Sequence, residues 1–117
     1  MDGGGAPYSV ILVPERVTEA WLDEGSWLDV PAGAPVLVDA TALKEAPVGA
    51  GMLASAAEQL LARAGRVAVF APGPLAFGLS RQAVQLAGLD EGVVVAVFRE
   101  RDAAVRWMLG SCASPGR

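Results

Sequence analysis

Val67-Ala-Val-Phe70, running into Pro72 to Gly88 (PGPLAFGLSRQAVQLAG), is the stretch whose reading decides the fold. Val67, Val69 and Phe70 suit a strand. Pro72-Gly-Pro74 turns the chain. Leu75, Leu79, Ala83 and Leu86 then share a helical face until Gly88 stops it, so these leucines are the expected buried stripe. The neighbouring segments repeat this strand, loop and helix. Upstream, Pro35 opens Val36-Leu-Val38, a run without polar alternation, as in buried parallel strands. Residues 40–48 form a loop after Asp39. Gly49 to Ala64 is a helix with Leu53, Ala56, Ala57, Leu60, Leu61 and Ala64 in one stripe, and Gly65 stands where a left-handed terminator belongs. Downstream, Gly92 precedes Val93 to Phe98, the expected central strand. Ala103 to Leu109 is a third helix with Ala104, Trp107 and Met108 inward, stopped by Gly110.

The N-terminal part is plainer. Tyr8 to Val13 is a first strand ended by Pro14, Glu15 to Glu24 a short helix, and Pro31 to Pro35 a turn. Residues 1–7 and 111–117 are expected to be tails flanking a single α/β domain over 8–110. Its strands at Val36–Val38, Val67–Phe70 and Val93–Val97 should be neighbours and mutually parallel, since helical crossovers follow each.

With 117 residues, 53% of them apolar, the chain is sized for one well-packed core. Nine Lys plus Arg against 13 Asp plus Glu give a net charge of −4, unsuited to general nucleic-acid binding, which needs clustered cations. No apolar run approaches the roughly 20 residues of a membrane span. The first residues lack a basic-then-apolar leader pattern, so a cytoplasmic location is the expectation. Histidine is absent, which removes Ser-His-acid triads and the commonest neutral metal ligand. The single cysteine, Cys112, cannot form an internal disulfide, and in a tail its thiol is more often incidental than catalytic.

The order of short motifs from Val36 to Leu109 resembles the SpoIIAA-like branch of the STAS fold, a family of small bacterial proteins. The residues that carry the resemblance are Val36-Leu-Val-Asp-Ala-Thr-Ala-Leu43, Leu75-Ala-Phe-Gly78, Arg81, Val97-Phe-Arg99, and Ala104 with Trp107. The resemblance implies a mixed, mostly parallel sheet with packed helices and a non-enzymatic, regulatory role. In anti-sigma-factor antagonists of this fold, a loop of Asp-Ser-Ser-Gly type carries a phosphorylated serine. The matching Val48-Gly-Ala-Gly51 has no hydroxyl, so no phosphorylation switch is expected there. The family commonly opens with a β-hairpin, whereas this chain shows one strand.

Candidate site residues follow, each with a plainer reading beside it. Asp39, at a strand end, lies where open α/β sheets often bind ligands. With Thr41 and Glu45 nearby it could orient a substrate, but these oxygens are too few to specify a metal, and an Asp here commonly accepts loop amides instead. Phe77 and Arg81 are one turn apart, with Gly78 between them, and could face a partner or a small anionic or lipophilic ligand. Otherwise Phe77 packs under the loop and Arg81 pairs with a carboxylate. Pro72 and Pro74 remove amide donors from that helix start, and no P-loop or dinucleotide glycine pattern is present. Ser80 has no base nearby in sequence. Trp21 and Trp27 mark an interface if exposed and a core edge if not. The reading is therefore a non-catalytic regulatory or protein-binding module, with a protein partner or a second copy as its counterpart, and with no cofactor, metal or assigned catalytic residue. The alternatives are a carrier of a small lipophilic ligand, with its pocket between the sheet and the Phe77 helix, and a small enzyme using Asp39 and Lys44.

Overall fold

Every described strand of this chain runs the same way, and these strands lie side by side in the order in which they are made. In the computed structural model, which describes residues 8–110, β1 (Ser9–Leu12), β2 (Pro35–Asp39), β3 (Arg66–Phe70) and β4 (Val95–Phe98) form one sheet in the order β1-β2-β3-β4. All three pairings are parallel, with Ser9 opposite Val36, Val36 opposite Val67, and Val67 opposite Val95. The α/β class and the parallel neighbours expected from the apolar runs are present, and β1 joins them in parallel. Both termini expected as tails, including Cys112, lie outside the described residues.

The helices are α1 (Glu19–Glu24), α2 (Gly49–Arg63), α3 (Pro74–Leu86) and α4 (Arg101–Gly110), with a 3₁₀ turn at Ser26–Leu28. One face of the sheet presents Ile11, Val36, Val67, Val69, Val95 and Val97 to Trp27, Leu60, Ala76 and Val84, with Trp21 and Leu22 of α1 packed alongside. The three crossovers between these strands therefore cover one face and, stepping in one direction, share one hand. The opposite face packs Leu37 and Ala68 against Ala104 and Met108 of α4. Burial on both faces explains why β2 and β3 lack polar alternation.

Several local expectations change. The helix expected over Glu15–Glu24 is only Glu19–Glu24. Val17 is instead held in a bridge to the next loop, and Thr18 caps the helix by accepting from the Trp21 amide at 3.1 Å. Gly25, with φ +76°, ends it in the left-handed region. Gly65 is not a left-handed terminator. It is needed because the Gly33 backbone carbonyl occupies the place of a Cβ. Val93 and Val94 are exposed, outside β4, in a turn where the Gly92 amide donates to the Val95 carbonyl at 2.7 Å. The buried stripe of α3 is Ala76, Ala83 and Val84, while Leu75 and Leu86 are exposed. Alanines take the inner positions because α2 and α3 lie against each other there, and small side chains permit close axes.

Candidate functional site

A cavity of about 140 Å³ lies between the near face of the sheet and α1, α2 and α3. Its floor is Ile11, Val38, Val67, Val69 and Val95 from the four strands. Leu53, Ala57, Leu60 and Leu61 of α2 form one wall, and Leu79, Ser80, Ala83 and Val84 of α3 another. Trp21 and Trp27 complete it on the β1 side, their rings stacked with centroids 6.1 Å apart and planes 22° apart. Among the wall residues Ser80 carries the only hydroxyl, beside the indole N–H groups of Trp21 and Trp27, and among the described residues that hydroxyl has no hydrogen-bond partner.

Two loops close the cavity at the carboxyl ends of the strands. Val13 and Val17 come from one, Leu43 and Ala46 from the other. The Lys44 and Glu45 amides donate to the Glu15 carbonyl at 2.7 and 3.1 Å, and the Val17 amide donates to the Glu45 carbonyl at 3.0 Å. Outside this backbone tie, Arg16 pairs with Glu45 at 3.2 Å and Lys44 lies 3.9 Å from Glu15. All four side chains are well exposed, so these pairs add little to the hydrogen bonds beneath them.

Asp39 stands at the end of β2, where one of its carboxylate oxygens accepts from the Thr41 amide at 2.9 Å and the Thr41 hydroxyl at 2.6 Å. This is the turn-capping role of an Asp after a strand. Lys44 is turned to Glu15, Glu45 to Arg16, and Asp39 to Thr41, so these contacts do not draw the three into one catalytic cluster. Among the described residues, no group of three or more His, Cys, Asp or Glu side chains could hold a metal ion.

The expected pairing of Phe77 with Arg81 is present, and it has a third member. The Arg81 guanidinium carbon lies 5.8 Å from the Phe77 ring centroid and that of Arg99 lies 4.5 Å from it. Arg81 also pairs with Glu91 at 3.3 Å. Phe77 is half-buried and packs on the near-face core, while Gly78 is exposed beside it with open space at its Cβ position. The plainer reading of both side chains is thus met in part: one packs and the other has its carboxylate. Arg99 follows β4 directly, and its nearness to Phe77 depends on strand order, which no local motif encodes.

Trp27 is buried and donates its indole N–H to the Leu22 carbonyl at 3.2 Å, and Trp21 is half-buried against it. Two exposed tryptophans are therefore not available as an interface, because the pair forms a cavity wall. Ser80 is the site residue whose role the sequence disguised. Its signal was its place on the stripe Ala76, Ser80, Ala83, Val84, a hydroxyl on an otherwise apolar helical face. Comparison with protein-family models, with curated proteins and with solved structures finds no match. Among the described residues no helix is long and apolar enough to cross a membrane.

Proposed function

We propose that this protein is a non-catalytic binding module that holds a small lipophilic molecule between its sheet and α1–α3. The observation that carries the reading is the 140 Å³ cavity with a predominantly apolar, uncharged wall that includes the Ser80 hydroxyl. Interiors are close-packed, and voids larger than a water molecule are few. A ligand of matching shape that displaces water from this wall gains apolar contact area, which is the driving force for its binding. Toluene titrated against labelled protein should shift the methyl resonances of Leu53, Leu79 and Val84 saturably. Filling the space with Ala57→Leu should abolish those shifts while the protein stays folded. Absence of any saturable shift in the wild type rejects the reading.

A second reading keeps the SpoIIAA-like resemblance and its regulatory, protein-binding role. It is favoured by Val10 and Leu12, 43% and 73% exposed on β1, at the edge of the sheet. Regulation would then act through association without phosphorylation at residues 48–51, where α2 begins with Gly49-Ala-Gly51 and has no side-chain cap. Loss of a co-purifying partner in Leu12→Lys, with unchanged unfolding, supports this reading. A protein that is monomeric and partnerless at cellular concentration removes it.

A further inference from the structure

We infer that the cavity selects a compact, uncharged aromatic ligand with a single hydrogen-bonding group, phenol- to indole-sized, and that Ser80 is the residue that reads that group. This deepens the binding proposal and rests on it. Three observations set the class. The volume, about 140 Å³, is close to that of apolar cavities of about 150 Å³ that admit benzene-sized molecules. No charged side chain lines the wall, so an ion would enter without compensation, at a large desolvation penalty. The stacked Trp21–Trp27 pair borders the space and offers ring surfaces to which a flat aromatic can pack edge-on or offset.

Ser80 supplies the specificity. A ligand hydroxyl or N–H taken into an apolar cavity loses its water and needs a replacement partner. The Ser80 hydroxyl can donate and accept, and among the described residues nothing else engages it. The preceding and following turns of α3 place Ala76, Ala83 and Val84 around it, so this hydroxyl, the one group in the wall that can accept as well as donate, is held in place by the helix. A site built this way discriminates by the partner left unpaired when the matching group is missing.

Toluene and phenol share a shape and differ in one methyl-for-hydroxyl replacement, so their affinity ratio isolates the hydrogen bond. Both are titrated into the full chain and into Ser80→Ala, with tryptophan fluorescence as the readout and thermal unfolding confirming that the variant is folded. Phenol should bind the wild type at least as tightly as toluene. In Ser80→Ala the phenol affinity should fall about 3- to 10-fold while that of toluene holds, the size of effect expected for one neutral hydrogen bond. Benzoate, which is charged, should bind neither form. A phenol-to-toluene ratio unchanged by Ser80→Ala, or benzoate binding as tightly as phenol, overturns this inference and leaves the binding module intact. If toluene and phenol both fail to bind the wild type, the binding module falls and this inference with it.

Discussion

The two faces of one sheet are filled in opposite ways. The far face is tight: Leu37, Ala68 and Ala104 are fully buried, and small residues let α4 sit close to the strands. The near face carries Ile11 on β1, valines on β2, β3 and β4, and leucines on α2, yet a cavity remains between them. The difference follows from how each face is covered. One helix lies on the far face and settles into the groove its alanines make. Three elements meet over the near face, and their mutual packing, α2 on α3 above all, fixes their distance from the sheet whether or not the space beneath is filled. The far face is the fastening, and the near face is where a guest can be held.

Truncation should separate the faces most widely. Leu37→Ala removes a fully buried side chain from the tight side and should cost about 2–5 kcal/mol in denaturant unfolding. Leu53→Ala borders existing space from a half-buried position and should cost roughly half as much. Equal losses would erase the contrast. Enlargement should then reverse the order. Ala104→Leu has no room and should destabilise by about 1–3 kcal/mol, whereas Ala57→Leu extends into the cavity and should be neutral or stabilise by up to about 1 kcal/mol. Destabilisation of equal size by both would mean that the near-face space is not usable volume. The smallest effect is expected outside both cores. Arg81→Ala breaks an exposed pair with Glu91 and a contact with Phe77, and should change stability by less than about 1 kcal/mol. A larger loss would show that the Phe77 flank, with Arg99 on it, is part of the near-face structure.

Much of this contrast could not be read in the chain. The strands could, because burial on two faces removes polar residues from Val36-Leu-Val38 and Val67-Ala-Val-Phe70. The caps of α1 and the ends of β4 could not, since the pairing of Val17 with a distant loop and the Gly92 turn are decided by neighbours outside the local pattern. On α3 the leucine periodicity placed Leu79 and Ala83 inward correctly, but it also pointed to Leu75 and Leu86, which are exposed, and passed over Ala76 and Val84, because proximity to α2 favours small residues. Trp21 and Trp27 were legible as a noteworthy pair, and Asp39 as a strand-end acceptor, while what each does depends on contacts. The cavity had no local signature at all. It is a volume left between segments far apart in sequence, and no single residue type announces it.

The unbroken strand order carries a consequence for how the molecule comes to exist. Each strand pairs only with the one made before it and the one made after it. A nascent chain therefore meets its docking surface already assembled, and no strand must wait for a distant partner to be synthesised. Parallel sheets are ordinarily slow to form because their pairings enclose long loops. Here every such loop is one crossover long, so assembly can proceed from the amino end by successive additions. The last described element, α4, then covers the far face over β2, β3 and β4.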